Sequence, residues 1–387
     1  MDFLTDINWW FLVVTSLAKT VFVLVVVLTM VSYTVYAERR VSAFIQDRLG
    51  PNRVGIPLTM LGFKNDLKFQ GLGQPIADAL KLLLKEDFTP ASANKFYYWL
   101  APTLGIGSVI VSLAVIPFGS SLNLDFIFRP LLGHEFGPIP MVIANVNIGI
   151  LFIFAISSLG VYGIVLAGWS GNSKYPFLGG IRSSSQMISY ELALGLSVIP
   201  LFLIYEKLNL VDIVKYQVDN GWLLFPAFLH GNFSLGQNLL VIPVAISFVI
   251  FSVSMFAETN RLPFDLPEAE QELVGGYNTE YSSMKFALFF LGEYAAMIAG
   301  SAAIVTLFLG GWHFPFIPDG SSGWFWSIVN IGVFFAKIAV LLLIFIWVRW
   351  TLPRFRYDQL MQLGWIWFFE IALVNIFLTA LILLLPN

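Results

Sequence analysis

Eight long apolar runs alternate with short polar connections along the chain. They cover roughly 9–37, 98–119, 141–168, 185–206, 238–258, 284–311, 326–350 and 365–386, and each is close to or longer than the ~20 residues a helix needs to cross the bilayer's hydrocarbon layer. One shorter stretch has a different pattern. Over 74–87 the polar positions Gln74, Asp78, Lys81 and Lys85 form one stripe, and Ile76, Ala79, Leu80, Leu83 and Leu84 form the other. Pro75 suits the first turn of a helix. The stretch is too short to span and strongly amphipathic, which predicts a helix lying in the interface plane, with a helix packed against protein as the alternative. The expected fold is an all-α polytopic membrane protein of about eight transmembrane helices plus this interfacial helix. A single transmembrane domain covers 1–387, with a large first loop over 38–97 and a second polar connection over 258–285.

Composition supports that class. Of 387 residues, 58% are hydrophobic and only 12% charged, well beyond an ordinary soluble domain. Charge placement orients the spans. The odd connections and their flanks hold most cations, from Arg39 to Lys95 in the first, then Lys174 and Arg182, Arg261 and Lys285, and Arg349, Arg354 and Arg356. The opposite side holds Arg129, Lys207 and Lys215. By the positive-inside rule the odd connections are cytoplasmic and both termini face out. The chain starts acidic, and its first apolar run is too long for a signal-peptide core, so it reads as a retained span.

Cysteine is absent, and His134, His230 and His313 fall in separate connections. That argues against a thiolate-ligated cluster or a histidine metal site. Neither a phosphate-binding loop nor a dinucleotide glycine motif is present. If the chain takes part in redox chemistry, another subunit carries the electrons.

The most unusual chemistry lies in 258–285. Glu258, Asp265, Glu268, Glu270, Glu272 and Glu280 face only two cations, Arg261 and Lys285. Acids this crowded do not all ionise cheaply near neutral pH. Further ionisable groups stand within apolar runs: Glu191, Glu293, Lys19 and Lys337. Intramembrane charges of this kind mark proton or ligand pathways by default, with structural pairing as the competing explanation. The third connection, 168–182, is glycine-rich and polar, fit for close packing against a partner. A Gly50-Pro51-Asn52 turn flanked by Arg48 and Arg53 follows the first run.

These stretches form a recognisable set. Ala37-Glu38-Arg39, Gly50-Pro51-Asn52, the run from Gln74 to Leu82 and Gly168-Trp169 through Glu191 belong to it. So do Ala257 to Leu266, Tyr277 to Tyr281, Phe286 to Tyr294 and Pro353 to Met361. On them the chain resembles the H-type membrane subunits of bacterial NADH:quinone oxidoreductase, respiratory complex I. The resemblance implies a bacterial inner-membrane protein that joins the membrane arm to the hydrophilic arm. Its partners would be quinone-site iron–sulfur subunits on the cytoplasmic side, neighbouring membrane-arm subunits, lipid and quinone, with no nucleic acid. It implies a non-redox role: flavin (FMN), nicotinamide and iron–sulfur sites lie on other subunits, and quinone is the substrate. It further implies a quinone cavity opening near the first span, lined by Glu38, Arg39, Arg48, Asp78, Lys81, Arg182, Arg354 and Arg356. An acidic path would run from it through Glu191, Glu258, Asp265, Glu268, Glu270, Glu272, Glu280 and Glu293 and couple quinone reduction to proton translocation.

Three departures stand out. The spacer over 56–70 is longer than the family's usual link, Ile366 stands where the family usually has lysine, and Glu370 where proline is common. One turn inside its span, an unpaired Glu370 should be protonated or matched by a cation such as Arg349. Two other classes stay open at this level. The membrane component of a membrane-bound hydrogenase or ferredoxin-linked complex shares the fold. A stand-alone proton-coupled transporter would need repeat symmetry, which the sequence lacks.

Overall fold

The computed structural model describes residues 6–52, 54, 70–123, 137–225, 239–267, 273–317 and 323–384. Glu268, Glu270, Glu272 and most of the 56–70 spacer lie outside them. Among the described residues, eight helices are long and apolar enough to cross a membrane. The chain runs α1 (Asp6–Ile45), α2 (Gln74–Leu84), α3 (Lys95–Leu113), α4 (Gly149–Ser170), α5 (Lys174–Tyr205), α6 (Leu210–Asn220), α7 (Val241–Glu258), α8 (Ser283–Phe308) and α9 (Trp324–Thr351). The last span begins as α10 (Tyr357–Gln362), widens into a π-helical stretch (Leu363–Phe368) and continues as α11 (Phe369–Leu383). The amphipathic helix α2 and the short helix α6 do not span.

Helix ends depart from hydropathy boundaries for identifiable reasons. Helix α1 runs on past the membrane border to Ile45 because no glycine or proline interrupts it before Gly50-Pro51. The glycine-rich third connection shrinks to Gly171–Ser173, since α5 already starts at Lys174. Pro176 is tolerated there because the first turn leaves its N–H groups unpaired in any case. The third span starts at Gly149 instead of 141. Its leading residues are held extended, with Met141 accepting from the N–H of Phe118 (3.0 Å) and Ala144 donating to Ala114 (2.9 Å). Beside them, Ser121–Leu122 pairs antiparallel with Ile139–Pro140.

Both mid-span lysines anchor connections between helices. Lys19 donates to the carbonyl of Val142 at 2.8 Å. Lys337 donates to the carbonyls of Leu309 (2.7 Å) and Gly311 (2.9 Å), just past the C-terminus of α8, and lies 4.4 Å from the Trp222 ring centre. Orphan carbonyls at a helix end attract a cation in this way. These contacts give the two lysines a structural role.

Helix α8 is the central rod: 67% of its spanning window is buried, against 11% for the first span and 17% for the last. Around its Ile298, Val305 and Phe308 pack Val198, Leu201, Phe251 and Phe334. Small residues let the remaining helices close in. A Cβ on Gly168 of α4 would sit 2.4 Å from the Pro176 carbonyl of α5, and one on Gly179 would sit 3.0 Å from Gly276 and Tyr277. The α4–α5 hairpin therefore depends on backbone contact and positions Tyr277 near α8.

We expect Gly168→Ala to force these helices apart, at an overpacking cost of about 1–3 kcal/mol. The thermal stability of the detergent-extracted protein should drop. Gly195→Ala serves as control, because a Cβ there meets nothing within 4 Å. Equal melting of the two variants would contradict the close-approach account.

Candidate functional site

Two cavities flank a buried charge cluster. The first, about 460 Å³, opens between α1, α2 and α8. Val31, Val35, Leu83, Phe290 and Leu291 make its apolar walls, and Arg39, Asp78 and Lys81 supply its polar groups. Helix α2 has its apolar residues Ile76, Leu80, Leu83 and Leu84 exposed. Asp78 points inward, bonded to Gln74 (3.0 Å) and paired with Arg39 of α1 (2.8 Å). The helix is thus tied to α1 by its polar stripe while its apolar face looks out, as an interfacial helix requires. Tyr294 of α8 also lines this cavity.

Behind Tyr294 lies the cluster. Its hydroxyl donates to Glu38 Oε2 at 2.6 Å. Glu38, whose side chain is 8% exposed, also accepts from Arg349 at the end of α9 and faces Arg261 Nη1 at 3.8 Å. Arg261 Nη2 pairs with Glu293 Oε2 at 3.2 Å, and Tyr277 donates to Glu293 Oε1 at 2.9 Å. The Arg261 guanidinium lies 4.2 Å from the centre of the Tyr294 ring, within cation–π range. One arginine thus bridges two carboxylates from different helices.

The turn after α7 places that arginine. Helix α7 ends at Glu258, and Asn260 takes φ 52°, a left-handed conformation that asparagine tolerates. Fully buried Gln186 of α5 fixes the turn by donating to the carbonyls of Ala257 and Phe264, each at 2.8 Å. The chain is redirected there so that Arg261 enters the protein.

The second cavity, about 100 Å³, continues from the cluster into the membrane interior. Glu258, Glu293 and Tyr277 line it with Ser108, Ser112 and Ser157, in an otherwise apolar wall that includes Phe154, Phe251 and Phe289. At ~10–15 Å³ per water centre it has room for several waters, and its hydroxyls and carboxyls supply their partners.

Of the expected acidic path, Glu258 and Glu293 share this cavity, and half-buried Glu191 lies within charge range of Glu258. Asp265 is tied to Arg354 at 2.8 Å. Glu280 is half-buried at the far end of the loop, where its carbonyl accepts from Tyr98. Of the expected quinone-cavity residues, Arg39, Asp78 and Lys81 meet at the first cavity, and Glu38 stands behind it in the cluster. Arg48 is exposed beside Gln46, Arg182 is half-buried on α5, and exposed Arg356 pairs with Asp358 at 2.7 Å. Arg349 pairs with Glu38, so it is not the counter-ion of Glu370, which is exposed. The sequence marks Arg261 only as a cation among the loop's acids and gives Tyr294, Arg349 and Tyr277 no place in the site; their partners, distant along the chain, do.

A second anchor holds the loops together. Lys285, 1% exposed, pairs with Asp87 (3.0 Å), donates to Thr89 (2.8 Å) and sits 4.2 Å from the Trp99 ring centre. Beside it Tyr281 stacks on Tyr98 at 4.3 Å. Burial pushes the Tyr281 phenol up despite its hydrogen bond with Ser170, so it stays neutral and keeps its proton for bonding.

Comparison with known proteins shows the family. A family model described as NADH dehydrogenase matches residues 18–380. The chain is 44% identical over 376 residues to one of the NADH-quinone oxidoreductase H subunits of Geobacter sulfurreducens, covering 97% of this chain and 96% of the relative. It is 47% identical over 368 residues to the NADH-quinone oxidoreductase H subunit of Ehrlichia canis, covering 95% and 89%. Matched almost end to end and folded as eight membrane helices, the chain belongs to the H-subunit family of NADH-quinone oxidoreductases, the membrane subunits of complex I.

Proposed function

We propose that this protein guides quinone to its reduction site and couples quinone reduction to proton translocation through an acidic chain. The observation that carries the reading is Tyr294. It lines the first cavity and donates to Glu38, and Arg261 links Glu38 to Glu293, which lines the second cavity. A quinone has a long apolar tail and a polar head. A groove of about 460 Å³ with apolar walls and a few convergent polar groups, opening beside an interfacial helix, suits such a molecule. Electrons arrive from NADH through flavin and iron–sulfur groups on partner subunits. With no cysteine the chain offers no thiolate for a cluster, which fits a non-redox role. In this reading the odd connections face the cytoplasm and dock the hydrophilic arm, and both termini face the periplasm of the inner membrane.

Reduction of one quinone takes up two electrons and two protons. A negative charge developing near Arg39, Lys81 and Tyr294 alters the balance among Glu38, Arg261 and Glu293. The carboxylates then exchange protons through water in the second cavity, towards Glu258 and Glu191. Arg354 on Asp265 and Lys285 on Asp87 hold the surrounding loops in register.

Tyr294→Phe keeps the ring that faces Arg261 and loses the bond to Glu38. A hydrogen bond to a charged group is worth about 1.5–3 kcal/mol. We expect about tenfold or more slower NADH-driven quinone reduction in membrane vesicles with normal assembly. Unchanged turnover at every quinone concentration would remove Tyr294 from the path.

Glu191→Gln and Glu293→Gln keep shape and hydrogen bonding but cannot titrate. In equally assembled vesicles, quinone reduction and proton uptake should fall together, because tight coupling stalls electron transfer when protons cannot move. We expect the larger fall for Glu191→Gln. Full rates with full proton uptake in both variants would leave these carboxyls a structural role only.

A further inference from the structure

The outer face of the last span carries a carboxylate that the described part of the chain leaves unanswered. Helix α11 packs against α5 and α7 through Ala372, Asn375 and Thr379, all buried, with Asn375 donating to the Pro243 carbonyl (2.9 Å) and Ser247 (3.0 Å). At about 100° per residue, that seam lies roughly 140–200° around the helix from Glu370. Glu370 instead shares the opposite, exposed stripe with Val374, Phe377 and Leu381. Its neighbours one turn away, Ile366, Trp367, Leu373 and Val374, are all apolar. The nearby cytoplasmic-side arginines are engaged elsewhere: Arg349 on Glu38, Arg354 on Asp265 and Arg356 on Asp358.

Depth makes the position costly. The ~20 residues needed to cross the hydrocarbon layer, counted back from Leu383, reach residue 364. Glu370 then lies about 9 Å inside that border at 1.5 Å per residue, beyond the reach of a short side chain. Lipid tails at that depth offer neither a counter-charge nor a hydrogen-bond donor. A second copy packed by two-fold symmetry would bring Glu370 towards Glu370, like charge against like.

We propose that Glu370 faces a lysine, arginine or histidine on a transmembrane helix of a neighbouring membrane subunit, with Val374, Phe377 and Leu381 forming the apolar remainder of that contact. The proposal rests on membership of a multi-subunit membrane complex and is independent of the quinone and proton reading, because its test follows assembly and not turnover.

The test uses the whole complex, extracted in mild detergent and resolved by blue-native electrophoresis, with the total amount of this protein in the membrane as reference. Glu370→Leu removes the charge and would suit a lipid-facing site. Here it strands the partner's cation, and we expect about tenfold less of the protein in the full membrane arm, with a similar loss for Glu370→Lys and retention for Glu370→Asp. Wild-type assembly of Glu370→Leu would overturn the proposal. A photo-reactive benzophenone amino acid in place of Val374 checks the contact without relying on a disruptive variant. The expected adduct joins this chain to another membrane subunit, within about a turn of a basic residue on the helix it reaches. Adducts with lipid alone, or with a second copy of this chain, would also overturn it.

Discussion

The guanidinium of Arg261 is the point on which the rest of the site depends. It is nearly buried, pairs with Glu293, faces Glu38 and lies over the Tyr294 ring. A charge in that position is tolerable only because two carboxylates and an aromatic face surround it. Removing one partner from such a buried set typically costs about 3–5 kcal/mol, because the remaining charge is left uncompensated. The cluster therefore fixes how α1, α8, α9 and the turn after α7 meet. That constraint also holds Tyr294 in the wall of the first cavity and Glu293 in the wall of the second.

Each element around the cluster can be understood from this requirement. Helix α1 stays helical past the membrane border and so presents Glu38 from a rigid rod, while Arg39 on the next position reaches Asp78 of α2. Gln186 holds the turn that delivers Arg261, and the close approach of Gly179 to Gly276 and Tyr277 seats the segment whose Tyr277 reaches Glu293. The interfacial helix is tied on its polar side and free on its apolar side, which suits a cavity mouth at the lipid boundary. The chain thus separates a groove beside the amphipathic helix from a small internal cavity by one layer of charged side chains.

Much of the fold is legible in the sequence because lipid burial is a local property of composition. All eight spans correspond to apolar runs. Helix ends are harder to read, because hydropathy marks the membrane border and not the end of the rod. Residues Lys174 to Arg182 look like a glycine-rich loop, yet they form helix and use their glycines for backbone contact. The acids and arginines of the site are visible as residue types, but their partners are not. Glu38 is 256 residues from Tyr294 and 311 from Arg349, and no local pattern encodes such pairs. Arg349 is a natural counter-ion for Glu370 by position alone. The structure gives it to Glu38 and leaves Glu370 facing outward.

Redox-induced infrared difference spectroscopy of the purified complex addresses the central claim most directly, since protonated and ionised carboxyl groups absorb at different frequencies. If the Arg261 cluster carries charge between the two cavities, quinone reduction should produce a carboxyl band that is absent in Glu293→Gln. The band should also shift in Arg261→Lys, where a single ammonium replaces the forked guanidinium that reaches both acids. Identical difference spectra for the wild type and both variants would contradict the account.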